Sequence, residues 1–138
     1  MSHFRKASAF GAVVVAALIH DARADDIAVI VSAKSTASTM TAEEISRIYL
    51  GKSTALKPID NSDKSAVRSQ FYSKVAGKDA AQVKAIWSKL VFTGKATAPH
   101  ELDTNQSVVK AVAADPNAIG YIEKSAVDSS VKVVLEVK

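Results

Sequence analysis

The spacing of apolar and polar residues changes several times between positions 26 and 138, and each change predicts an element. "DIAVIVSA" (26–33) is a run of β-branched and small apolar residues without a polar face, the pattern of a strand buried on both sides. "TAEEISRIYLGK" (41–52) moves to the helical period. Ile45, Ile48 and Tyr49 share one stripe, Thr41 and Glu44 have the spacing of a capping box, and Gly51 is the stop. "ALKPID" (55–60) reads as extended, and Pro58, which has no N–H to give a ladder, predicts an edge strand. Two helices are expected next. One runs over 63–76 with Val67, Phe71, Tyr72 and Val75 inward and Gly77 as its end; the other runs over 79–92 with Val83, Ile86, Trp87, Leu90 and Val91 inward. "TGKATAPH" (93–100) is a loop, and "NQSVVKAVAADPN" (105–117) a helix halted by Pro116. "AIGYI" (118–122) and the alternating "VKVVLEV" (131–137) are strands. Strands interleaved with helices, with no long linker and no internal repeat, predict an α/β sandwich with one core.

The first residues follow a different logic. Arg5 and Lys6 precede an apolar or small run from Ala9 to Ile19, and "ARA" (22–24) has the small-x-small form that a signal peptidase reads. A secretory signal peptide over 1–24, cleaved after Ala24, is the expectation, with 25–138 as a single exported, periplasmic domain. A membrane anchor is the competing reading, but the apolar run is short for a bilayer. No cysteine stands near the cleavage point to take a lipid, and none stands anywhere in the chain, so neither disulfides nor thiolate metal sites are available.

Charge and chemistry then narrow the function classes. The formal charge of the whole chain is +4, but the leader holds Arg5, Lys6, Arg23 and Asp21, so the remainder carries only +2. Nothing in that balance calls for nucleic acid. His100 is the one histidine outside the leader, placed in a polar loop without a carboxylate pattern, which predicts a solvated side chain and no metal. No serine lies in a G-x-S-x-G or S-x-x-K motif, and "GKST" (51–54) lacks the first glycine of a phosphate loop and follows a helix. A binding protein without cofactor is expected, not an enzyme. Trp87, Phe71, Tyr72 and Phe92 fall at helical spacing with other apolar residues, which predicts core packing.

One stretch concentrates polar chemistry: "DNSDKSAVRSQF" (60–71). If a helix starts near Ser62, its first-turn amides face any anion there, Ser62 and Ser65 offer hydroxyls, and Lys64 and Arg68 offer charge. The same residues also suit an ordinary capped helix, with Asp60, Asn61 or Ser62 as cap and Lys64 and Arg68 at the i, i+4 spacing of a solvated face. Spacing leaves both readings open.

Three further segments carry a resemblance. "MTAEEISRIYLGK" (40–52) is similar to the "L-t-x-x-x-L-x-x-I-F-x-G-K" segment of phosphate-type periplasmic substrate-binding proteins. "FTGKATAP" (92–99) and "VAADPNAIGYIEKS" (112–125) resemble that family's later region around "p-G-A-I-G-Y". The matches keep family order over nearly all of 25–138. Family members hold phosphate with "R-S-D-G-S-G-T" at a helix start; aligned on Phe71, Ser62, Asp63 and Ser65 match, while Asn61, Lys64, Ala66 and Val67 replace the arginine, glycines and threonine. The resemblance implies a single lobe of a type 2 periplasmic-binding protein, with a small mixed sheet flanked by helices. It implies a small oxyanion, phosphate first, as ligand, with Ser62, Lys64, Ser65 and Arg68 as binding residues, and an ABC permease as partner. A lone lobe leaves its half-site open, so it also points to a homodimer. The other function class in view is a periplasmic adaptor or sensor-partner module without tight ligand binding.

Overall fold

The computed structural model describes residues 26–138; the signal peptide expected over 1–24 lies outside the described residues. Its centre is β1 (Ile27–Ser32), all six residues buried, flanked by β4 (Ala118–Glu123) and β5 (Val131–Val137), both antiparallel to it. β2 (Lys57–Asn61) runs parallel to β4 on one side and to the short β3 (His100–Leu102) on the other, giving the order β3-β2-β4-β1-β5. The expected mixed α/β sheet flanked by helices is the one found.

Alternation along β1 sorts the core into two layers. Ile27, Val29 and Val31 face one side, with α1 (Ala42–Tyr49), α2 (Ala66–Phe71) and α3 (Ala80–Phe92) covering them; Ala28 and Ile30 face α4 (Asn105–Ala114) through Val108, Val109 and Val112. Gly120 of β4 makes the α4 side this close. A Cβ there would stand 2.8 Å from methyl groups of both Val108 and Val112, so α4 can seat on the sheet only over a glycine. The loop 33–41 is fastened to β5, where Met40 donates its amide to the Val134 carbonyl and Lys132 Nζ reaches the Ser35 carbonyl.

Several local expectations need correction. β2 is not an edge strand: β3 lies outside it. β3 pairs only from Ile59 onward, so at Pro58 the strand has a neighbour on the β4 side alone, and the missing N–H is tolerated there. β3 itself has no counterpart in the sequence pattern, which predicts a loop up to His100, since three residues show no period. The helix expected from 63 opens at Ala66 and gives way at Tyr72 to a π-helical turn (Tyr72–Ala76), which Gly77 closes at φ +63°. α3 keeps its expected span, with Asp79 and Gln82 completing a capping box, yet of its expected inward residues only Val83 is fully buried. Val91 is exposed, and Phe92 is 93% exposed, against the core role expected of it. His100 is exposed as expected, although at the head of β3 instead of in a loop. No helix of the described residues is long and apolar enough to cross a membrane.

Candidate functional site

The end of β2 delivers Asp60 into the interior, its side chain only 4% exposed. An isolated buried carboxylate is costly, and Asp60 is not isolated. Its Oδ1 accepts from the Tyr121 hydroxyl at 2.5 Å and from the Asn61 amide at 2.8 Å; its Oδ2 accepts from the Tyr72 hydroxyl at 2.5 Å. The aromatic rings bearing these hydroxyls are packed as a unit: Phe71 stacks on Tyr121 at 3.8 Å, and Tyr49 meets Phe71 edge-on at 4.8 Å. Phe71 and Tyr72 are therefore core residues, as expected of them, with Tyr72 adding a polar handle. Burial, and secondly the Asp60 charge, push the pKa values of Tyr49, Tyr72 and Tyr121 well above the ordinary phenol range.

Arg68 completes the cluster from α2. Its guanidinium, 8% exposed, meets Asp63 at 2.6 Å, Glu101 of β3 at 3.4 Å and Asp60 at 4.0 Å. Burial alone would depress its pKa; Asp60, then Glu101, outweigh that and hold it above the usual value. Nε of Arg68 is buried without an acceptor among the described residues. Three carboxylates thus surround one guanidinium, so the arginine is committed to the fold and its charge is spent locally.

The other three expected binding residues lie on the turn that precedes α2, and they stay together at the surface. Ser62 docks its amide on the Leu102 carbonyl, and the Ser65 amide bonds the Ser62 carbonyl to close the turn. The Ser62 hydroxyl oxygen accepts from the Lys64 amide, and the Ser65 oxygen caps α2 by accepting from the Val67 amide. Each hydroxyl accepts in these bonds and still has its own proton to donate. The Asp63 and Ala66 amides have no acceptor among the described residues, and Lys64 is exposed. The plain helix-start reading needs correction in its details: Ser65, and not Asp60, Asn61 or Ser62, is the cap, Lys64 precedes the helix, and Arg68 is buried instead of solvated. Because α2 proper is only six residues long, hydroxyls and amides count for more here than a helix macrodipole.

Sequence reasoning did not single out Asp60 as anything beyond a cap, nor Tyr72, Tyr121 and Glu101 as polar partners. An aspartate closing an apolar strand was the available signal, but its tyrosine partners lie 12 and 61 residues away. Beside the cluster a groove of about 450 Å³ opens, lined by Asp60 and Arg68, by Trp87, Val91 and Phe92 of α3, and by Ala98, Pro99 and Glu101. Trp87 is anchored by its Nε1, which donates to the Tyr49 carbonyl at 2.8 Å.

Solved structures of similar fold include proteins described as phosphate receptors. The chain superposes on an ABC-type phosphate transport receptor from Vibrio cholerae with a TM-score of 0.63 at 20% identity, over 78% of this chain and 44% of the receptor. It superposes on a phosphate ABC transporter substrate-binding protein with bound phosphate from Clostridium perfringens with a TM-score of 0.64 at 26% identity, over 78% and 43%. PstS from Borrelia burgdorferi gives 0.51 at 14% identity, over 78% and 46%. The chain spans less than half the length of each. No protein-family model and no curated protein matches the sequence. The architecture is that of a single lobe of a phosphate-type periplasmic substrate-binding protein, as the resemblance in sequence implied.

Proposed function

We propose that the chain is a periplasmic, solute-binding-type protein that holds a small oxyanion, phosphate first, on the Ser62–Ala66 turn, and that it serves an ABC permease. The observation that carries this reading is the turn itself: the Ser62 and Ser65 hydroxyls and the Asp63 and Ala66 amides are donors without an acceptor among the described residues, and Lys64 of the same turn is exposed. The ionised oxygens of an oxyanion accept hydrogen bonds and match that set. Arg68 contributes indirectly, by cancelling the Asp63 carboxylate that would otherwise repel the ligand. The phosphate bound to the Clostridium perfringens protein supports the choice of anion.

Thermal unfolding with phosphate, sulfate, nitrate and small carboxylates at matched ionic strength tests it. A ligand at about 100 times its dissociation constant adds roughly 2.7 kcal/mol, a rise on the order of 10 °C for a domain of this size. A rise with phosphate that vanishes in a Ser62→Ala, Lys64→Ala double variant is expected. Absence of a rise with any anion at millimolar concentration would sink the reading. The adaptor or sensor-partner reading then takes its place, favoured by the exposed Phe92 and Val91 that line the groove.

A further inference from the structure

The modest net charge of the chain hides an uneven distribution. No acidic residue stands between Asp79 and Glu101, while Lys84, Lys89 and Lys95 all do. The three lysines are exposed, and none forms an ion pair among the described residues. The same segment carries the most exposed large apolar side chains of the described residues, Phe92 at 93% and Val91 at 47%. They stand at a fixed tip. The Gly94 amide bonds the Val91 carbonyl and the Lys95 amide the Leu90 carbonyl, a Schellman ending of α3 that Gly94 permits at φ +68°. The Thr93 hydroxyl adds a bond to the Lys89 carbonyl at 2.8 Å, and every residue from Val91 to Lys95 is exposed. On its inner side the helix is anchored by Trp87, whose Nε1 is bonded to the Tyr49 carbonyl.

We infer that this tip docks on an anionic lipid surface, with the Phe92 ring entering the interfacial layer and Lys89 and Lys95 meeting the headgroups. Lys89 lies three residues before Phe92 and Lys95 three after it, so positive charge flanks the ring on both sides along the chain. Long lysine stems let the ring sit deeper than the charges. A helix C-terminus accounts for a lysine near its end, but not for a phenyl ring held out in water beside it. Withdrawing that ring from water is favourable, and the bilayer interface accepts it without the matching concavity that a protein partner would have to supply. Lipid headgroups also offer negative charge all round the ring, which suits a segment without acids. The tip is already ordered by its own hydrogen bonds, so docking costs little further ordering. Attachment is peripheral, since no helix of the described residues is long and apolar enough to cross a membrane. The tip shares no residue with the Ser62–Ala66 turn, and the inference does not rest on the oxyanion reading.

Co-sedimentation with vesicles tests it. The chain from residue 25 holds the whole described fold and lacks the apolar run Ala9–Ile19, which would itself seek lipid. It should pellet with vesicles of equal parts phosphatidylglycerol and phosphatidylcholine, less so as salt is raised, and stay in solution with phosphatidylcholine alone. Phe92→Ser should lower the partition coefficient roughly tenfold, and Phe92→Leu should keep most of it. Lys89→Gln with Lys95→Gln should also lower it at least about tenfold. All these side chains are exposed, so far-UV circular dichroism and the thermal midpoint should hold. A Ser62→Ala, Lys64→Ala double variant, and added inorganic phosphate, should leave vesicle binding unchanged. Three results overturn the inference: no pelleting with the anionic vesicles at low salt, which would leave an acidic protein as the occupant of the tip; equal pelleting with both vesicle types; or binding that the tip variants leave intact and the turn variant or phosphate abolishes. Because free phosphate is a separate arm, failure of anion binding and failure of lipid docking are distinct outcomes.

Discussion

Asp60 and Ser62 are two residues apart and belong to opposite chemistries. Asp60 is buried with both carboxylate oxygens occupied by tyrosine hydroxyls and a backbone amide, and its nearest cation is shared among three acids. Ser62 opens a turn whose hydroxyls and amides keep donors free. The stretch from 60 to 68 is therefore half foundation and half candidate cradle, and Arg68, the residue whose charge most suggests an anion, belongs to the foundation. A cluster of polar residues in a sequence says nothing about which members are already spent. Satisfaction of each atom decides it, and the two halves should respond to substitution in opposite ways.

The largest effect is expected at Asp60. Asp60→Ala removes the acceptor of two buried tyrosine hydroxyls and leaves Arg68 with fewer counter-charges, and breaking a buried ion cluster from one side costs about 3–5 kcal/mol. Urea unfolding should show a lower midpoint at an unchanged slope. A loss below about 1 kcal/mol would mean that the cluster is not holding the fold, and the division of the stretch would fail.

Alkaline pH reads the same half without a substitution. Tyr49, Tyr72 and Tyr121 are all the tyrosines of the chain, and each has a pKa raised in the folded state. A raised folded pKa gives stability that is fully present below the unfolded value, near pH 10, and is lost as pH climbs above it, by up to about 1.4 kcal/mol per pH unit for each tyrosine. Tyrosinate absorbance should stay flat past pH 10 and then rise in one step together with loss of circular dichroism. Gradual ionisation centred near pH 10 with the fold intact would contradict the buried hydroxyl network.

How far the sequence discloses these halves depends on how local their causes are. β1, α4, β4 and β5 were legible because period and punctuation lie within each segment, and the Thr41 cap because its partner, the Glu44 amide, is three residues away. β3 was not, since its three residues become a strand only by pairing with Ile59–Asn61 of β2, some forty positions earlier. The role of Asp60 was hidden for the same reason, as it is set by Tyr121 at the other end of the chain. Phe92 misled in a subtler way: helical spacing places a residue on a face, and only the tertiary fold says whether anything covers that face. The Ser62, Lys64 and Ser65 grouping was visible because a turn is local, and Arg68 was grouped with them because its acidic partner Glu101 was not.

Ser65 stands on the border and should show both effects. Ser65→Ala loses the α2 cap, a contact of 3.4 Å to the Val67 amide, so the cost lies at the low end of capping, about 0.5–1 kcal/mol. It should also weaken phosphate binding by removing a donor. A thermal midpoint and a calorimetric titration on the same variant separate the two. Unchanged affinity would reduce Ser65 to its cap.

Lys64 should give the smallest effect on stability and the cleanest on ligand. It is exposed and forms no ion pair among the described residues, so Lys64→Ala should leave stability within about 0.5 kcal/mol of the parent. Phosphate affinity should nevertheless fall about tenfold, or 1.4 kcal/mol, as one charge-assisted hydrogen bond is lost. The remaining affinity should also depend less on salt, since an exposed cation's contribution is the part that added ions screen. Asp60→Ala and Lys64→Ala then form opposite corners, one lowering stability and the other lowering affinity alone. If Lys64→Ala left affinity and its salt dependence untouched, the turn would be a capped helix start with no ligand, and the division between the two halves would reduce to one between buried and exposed residues.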